Sequence, residues 1–277
     1  MNPEKVTFQL KRAGYCTAHA GVALRGRSMR EIPFPATYAL IEHPREGYLL
    51  FDTGYTRRFY AETARWPGSL YARMTPVYIE GEEEAVAELA RMGIAAEEVR
   101  YLLISHFHAD HVGGLRDFPR ARVVCTRAAY EDTVRRKGFQ AVRRGLLPGL
   151  LPGDLAQRVR WIEDADLTRG KDPHLGAWVD LFGDGSIRLV HLPGHACGQM
   201  GALLNTPQGE VFLVADAAWL RENYQQRQLP LPVVRLFFDS WRDYCHSLDR
   251  IRAYAQHHPA TAIIPTHCEA TRQTWMS

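Results

Sequence analysis

His106-Phe107-His108-Ala109-Asp110-His111, followed closely by Gly113-Gly114, is the stretch on which the reading of this chain turns. Four side chains able to hold a metal fall within six positions. The preceding run Tyr101-Leu102-Leu103-Ile104-Ser105 reads as a buried strand, so the four lie on the loop leaving its C-terminal end. A strand can keep such a loop rigid while imidazoles and carboxylates converge on a cation. A merely solvated His-rich turn would not call for further ligands downstream, yet three occur at similar places. His195 follows the strand-like run Ser186 to Leu192, Asp216 ends Val211-Phe212-Leu213-Val214-Ala215, and His267 follows Ile263-Ile264-Pro265-Thr266. Ligands at the exits of several strands are what a site at one edge of a layered sheet structure requires.

Working outward, Tyr38 to His43 and Tyr48 to Asp52 are β-rich runs joined as a hairpin by Pro44-Arg45-Glu46-Gly47. Glu82 to Met92 has helical spacing and is closed by Gly93. A strand over Ala121 to Cys125 leads into a helix from Arg127 to Lys137. Gly138 to Asp154 reads as an irregular, proline-containing apolar loop that covers either the core or a pocket. Strands follow at Ala177 to Phe182, Ser186 to Leu192, Glu210 to Ala215 and Ala260 to Pro265. A long helix from Trp241 to His257 carries Tyr244, Leu248, Ile251 and Tyr254 on one face. Strands followed by helices in each half predict an α/β fold, with two mixed sheets face to face and helices outside.

The chain of 277 residues is 46 % hydrophobic, enough for one substantial core, and residues 1–277 read as a single domain. A net charge of +3 favours no charged partner, and the run Arg135-Arg136-Lys137 reads as a solvated helix face rather than a nucleic-acid patch. No apolar run reaches membrane-spanning length, and the N-terminus lacks the pattern of a secretory signal. Five scattered cysteines without a Cys-x-x-Cys pair suit reduced thiols, so the expectation is a cytoplasmic protein without membrane insertion. Cys197 and Cys268 each lie within two residues of a candidate ligand, where a small packed side chain is the simpler role.

The constellation resembles the metallo-β-lactamase superfamily over most of the chain. That resemblance implies an αββα sandwich, two mixed β-sheets flanked by helices. It also implies a dinuclear site, with one metal held by His106, His108 and His195, the second by Asp110, His111 and His267, and Asp216 bridging. Asp52, in Phe51-Asp52-Thr53-Gly54, would hydrogen-bond the ligand loop from behind. Nitrogen and oxygen donors suit two divalent ions, zinc first, and admit iron, manganese or cobalt. Such a pair lowers the pKa of a shared water, and the resulting hydroxide attacks an ester-like carbonyl while Asp110 orients it and moves its proton.

Several segments are similar to the N-acyl homoserine lactonase branch, among them Pro35 to Pro44, Gly194-His195-Ala196, Asp216 to Tyr224, Phe238-Asp239-Ser240 and Arg250-Ile251-Arg252. The implied substrate is a small lactone or ester. That branch carries a Tyr three residues after the bridging Asp, where its hydroxyl bonds the substrate; here the position is Trp219. An indole N–H donates a hydrogen bond but transfers no proton. Trp219 and nearby Tyr224 are therefore the candidate substrate-binding residues. Trp66, Tyr71, Met74, Tyr78, Phe139, Leu146, Leu147, Leu150, Phe237 and Phe238 are candidates to line an apolar pocket. Branches acting on thioesters or phosphodiesters, and a metal-binding ligand sensor without turnover, are the competing readings. Relatives of this kind are often dimers, which makes a homodimer the assembly to test.

Overall fold

The computed structural model describes residues 3–163, 166 and 170–275. Seven strands form the first sheet: β1 (Thr7–His19), β2 (Glu31–His43), β3 (Gly47–Phe51), β4 (Val77–Tyr78), β5 (Val99–Leu103), β6 (Arg122–Thr126) and β7 (Val159–Ile162), in the order β4-β1-β2-β3-β5-β6-β7. Six form the second: β8 (Gly170–Asp172), β9 (Gly176–Asp180), β10 (Ile187–His191), β11 (Met200–Thr206), β12 (Gly209–Ala215) and β13 (Ala262–Pro265), in the order β13-β12-β11-β10-β9-β8. Both sheets are mixed. β3, β5, β6 and β7 run parallel in the first, and β12 and β13 in the second.

Alternation along the strands builds three apolar layers. From β3, Leu49 and Phe51 point between the sheets with Leu103, Val124, Leu189, Leu213 and Ile264. Leu50 and Leu102 point the other way, under the helices of the first half. On β12, Val211 and Leu213 face the first sheet, whereas Phe212 and Val214 face the helix Trp241–His257. The result is the expected αββα sandwich. Parallel strands share one C-terminal edge. The segments after β3, β5, β12 and β13 therefore emerge together, carrying Asp52, His106, Asp216 and His267.

The helix Trp241–His257 has the expected bounds: Ser240 Oγ accepts from the Asp243 N–H (3.2 Å), and Tyr244, Leu248, Ile251 and Tyr254 are buried. The pattern reading assigns no strand to β1 or β11. β1 carries Gly14 (φ 71°) where its register with β2 shifts between Arg12 and Tyr15, which breaks the alternation. Over Glu82 to Met92 the helix is shorter than its spacing suggests. Glu84 is extended (φ −61°, ψ 142°) and separates the 3₁₀ turn Gly81–Glu83 from the helix Ala85–Arg91. The stretch Gly138 to Asp154 is also more ordered than an irregular loop, with a helix at Gly138–Val142 and a 3₁₀ turn at Pro148–Leu150. Leu146, Leu147 and Leu150 are buried in the core there.

The turn carrying His195 is docked onto that long helix. The Ser240 N–H donates to the Gly194 carbonyl (2.9 Å), and Asp239 N–H to that of His195 (3.2 Å). Gly194 has φ 125°, and a Cβ there would stand 1.9 Å from the Tyr244 nitrogen. Backbone strain and overpacking add. Gly194→Ala is therefore expected to lower stability by about 2–5 kcal/mol, seen as a fall in the urea midpoint at unchanged slope. A change within 0.5 kcal/mol, about the scatter of ordinary surface substitutions, would contradict the close approach.

Candidate metal centre

The loop after β5 is fixed from behind by Asp52. One of its oxygens accepts from the Ser105 N–H (2.8 Å), and the other from the Ser105 hydroxyl (2.8 Å) and from His111 Nδ1 (2.7 Å). Because the Ser105 proton goes to Asp52, its oxygen is free to accept from His106 Nδ1 (3.0 Å). A carboxylate can only accept, so His111 carries its proton on Nδ1, and the relay assigns the same tautomer to His106. His267 Nδ1 is set in the same way by the Pro35 carbonyl (2.9 Å). Each of the three imidazoles thereby turns Nε2 toward a common space. Thr53 ties the far end of the loop, its N–H and hydroxyl both donating to the His111 carbonyl at 2.9 Å. Gly113 lies so close to the Gly54 carbonyl that a Cβ would sit 2.6 Å from it.

The structure brings all seven candidate ligands together. His106, His108, His195 and Asp216 form one group, and Asp110, His111 and His267 another; within each group one donor atom per residue lies within 4.8 Å of the others. Asp216 touches both, with Oδ2 3.2 Å from His195 Nε2 and from His267 Nε2, and Oδ1 3.4 Å from His111 Nε2. It follows Ala215, a non-glycine residue at φ 47°, where the register of β12 against β13 shifts. Left-handed backbone at a non-glycine position is a strain the fold tolerates where it re-aims a functional side chain.

His106 Nε2, His111 Nε2 and Asp216 Oδ1 are buried with no hydrogen-bond partner. An unsatisfied buried polar atom costs about 1–3 kcal/mol. Three of them around one space, in an all nitrogen-and-oxygen donor set, are what divalent cations would satisfy. The residues therefore fit the metal ions that the resemblance implies. The electrostatics divide the same way. Burial holds His106 well below the usual imidazole range, and brings His108 down to about 4 and His195 to about 3, so these three are neutral donors. At His111 burial is outweighed by the Asp110, Asp52 and Asp216 carboxylates, which raise it. Burial would raise Asp110 too, but His111 and His267 bring it down to about 2, an ionised carboxylate.

Above the ligands opens a cavity of about 500 Å³ reached by His108, Asp110, Asp216 and His267. Its apolar wall includes Tyr71, Met74, Phe139, Phe237, Phe238 and Trp219. Of the other pocket candidates, Leu147 and Leu150 belong to the core, and Trp66 stays on the surface, stacked on Phe139 (6.1 Å). Tyr78 is not among the lining residues; it stacks on Tyr15 (5.0 Å). Leu146 borders a small side cleft of about 20 Å³. Tyr224 does not line the cavity either: it is packed in the apolar layer beneath the helix Trp241–His257, with its hydroxyl accepting from Gln225 (3.4 Å). Trp219 does line it, and its Nε1–H donates to Asp216 Oδ2 (3.1 Å). Cys268 is buried and accepts from Thr271 (3.1 Å), whereas Cys197 is half-buried at a small cleft and donates to the Ala128 carbonyl (3.8 Å). Ser105, Tyr55 and the Pro35 carbonyl stand at the site although the sequence analysis assigns none of them a site role. Only Ser105, wedged between a strand and a ligand, offers a local signal.

The family model of the metallo-beta-lactamase superfamily matches residues 32–257. The chain belongs to that superfamily. Within it, N-acyl homoserine lactonase AttM of Agrobacterium fabrum is 28 % identical over 241 residues, 84 % of this chain and 81 % of the relative. N-acyl homoserine lactonase AiiA of Bacillus thuringiensis subsp. kurstaki is 25 % identical over 182 residues, 65 % of this chain and 63 % of its own. A solved N-acyl homoserine lactone hydrolase, with the product N-hexanoyl-L-homoserine at its catalytic metal centre, superposes with a TM-score of 0.74 at 20 % identity, covering 99 % of this chain and 97 % of that one. The fold of this superfamily member is thus that of the lactonase-like hydrolases.

Proposed function

We propose that this metal-dependent hydrolase is a dinuclear lactonase, opening a small lactone or ester that carries an apolar substituent. The observation that carries the reading is Asp216, a buried carboxylate touching both ligand groups at the floor of a cavity with apolar walls. The curated relatives named as N-acyl homoserine lactonases support the substrate class. Two divalent ions, zinc by the donor set, would supply Lewis acidity toward a water and a carbonyl oxygen. His106, His108 and His195 would hold one, Asp110, His111 and His267 the other, with Asp216 between them. The protein's own residues do the rest. Asp110, ionised and facing the cavity, accepts a proton from water and later returns it to the leaving oxygen. Trp219, Phe237 and Phe238 exclude solvent and hold the apolar part of the substrate. Tyr224, outside the cavity, takes no part.

The test is a metal-quantified preparation assayed against acyl homoserine lactones, other lactones, aryl esters and a phosphodiester. The expected result is lactone turnover that a chelator abolishes and Zn2+ restores. Two bound equivalents of metal with turnover confined to esters or the phosphodiester would overturn the lactonase reading.

A further inference from the structure

Three residues after Asp216 stands an indole and not a hydroxyl, and it is already engaged. Trp219 has one donor and no acceptor, and that donor is on Asp216 (3.1 Å). Its ring is held edge-on by Phe238 (5.5 Å) and His195 (5.8 Å). What Trp219 turns to the cavity is apolar surface, so a substrate oxygen finds no donor from this residue.

A different hydroxyl cluster lines the same cavity. Tyr71, on the helix Gly68–Met74, and Tyr55, just past the Asp52 turn, both border it, as does Cys16 of β1. Phe59 clamps the two phenols, its ring edge-on to Tyr55 and to Tyr71 at 5.5 Å each. Tyr55 is fully buried, while Tyr71 is half-buried at the wall of the cavity that Asp110, Asp216 and His267 reach. From that wall the Tyr71 hydroxyl has one proton that it can donate to a group in the cavity.

Resting on the lactonase reading, we propose that Tyr71 is a catalytic residue of this chain: its hydroxyl donates a hydrogen bond to the substrate's lactone oxygens, and Phe59, edge-on to its ring, positions it. Burial, and then the negative charge of Asp110, hold the Tyr71 phenol well above its usual range, so it acts as a neutral donor and gives up no proton. The donor therefore reaches the substrate from the first half of the chain instead of from the segment after Asp216. Removing one buried donor to a reacting oxygen typically lowers rates by about 10–1000-fold.

The experiment compares wild type, Tyr71→Phe, Trp219→Tyr and the double variant, each with its metal content measured. The substrate is whichever member of the lactone, ester and phosphodiester panel wild type turns over fastest. Tyr71→Phe keeps the ring, and is expected to lower kcat/KM by about 10–100-fold with metal content and urea midpoint unchanged. Adding Trp219→Tyr restores a phenol beside Asp216, and the double variant is expected to recover at least about tenfold of that loss, a non-additivity that a packing role does not produce. A Tyr71→Phe enzyme within twofold of wild type, or a double variant whose losses simply add, would overturn the proposal. Because the comparison uses any substrate that turns over, failure on lactones alone refutes the lactonase reading and still tests Tyr71.

Discussion

Asp110→Asn is expected to lower kcat by about 10²–10⁴-fold, the contribution of a positioned general acid–base group, with bound metal retained. The carboxylate is buried, borders the cavity, and has Oδ2 3.3 Å from His111 Nε2 and 3.6 Å from His267 Nε2. Those two imidazoles keep it ionised against the pull of burial. Asparagine preserves the shape and one oxygen donor toward the metal, but it accepts no proton in the working pH range. The loss therefore falls on kcat rather than on loading or fold. Metal analysis and steady-state kinetics on one preparation decide the matter. Full activity on every member of the panel, at normal metal content, would remove Asp110 from the chemistry. Loss of metal would show that the substitution breaks ligation, so that the fall in kcat no longer reports proton transfer.

Much of the architecture was legible because period and punctuation agreed. The helix Trp241–His257 has a Ser cap and four apolar residues on one face, and its bounds are those the pattern predicts. The ligand loop was legible because it follows an apolar strand, and the later ligands because each also follows one. β1 was not legible, since Lys11, Arg12 and Gly14 interrupt its alternation and its pairing is set by β2. Nor was the order within Gly138 to Asp154, where burial of Leu146, Leu147 and Leu150 against the rest of the core decides the path. In the site, Trp219 could be read from its spacing to Asp216, but what its N–H bonds could not. The shared cavity border of Cys16, Tyr55 and Tyr71 draws on three separate segments of the chain, and no local pattern announces it. Tyr224 shows the reverse failure: it is near Trp219 in sequence, yet its backbone lies in the short helix Arg221–Gln225, which packs the ring away from the cavity.

Asp216→Ala is the substitution expected to do the most damage, because one side chain serves both ligand groups. Its two oxygens lie 3.2–3.4 Å from nitrogens of His111, His195 and His267, and it takes the Trp219 N–H as well. Without it, the remaining imidazoles converge with no bridging carboxylate to offset the charge of two cations. Bound metal is expected to fall below one equivalent per chain, and activity to drop by about 10³-fold or more. That figure follows from the several kcal/mol of transition-state stabilisation that bound metals supply, at about 1.4 kcal/mol per decade. The half-buried Trp219 indole loses its acceptor too, at a cost of up to about 1 kcal/mol. Asp216→Asn separates the effects, since it keeps an acceptor for Trp219 but removes the negative charge. Its urea midpoint should lie closer to that of metal-stripped wild type than the Ala variant's does, with metal binding weak in both. Two tightly held equivalents in Asp216→Asn would show that His111, His267 and Asp110 hold the second ion without a charged bridge, and the site would then work as two adjacent mononuclear centres.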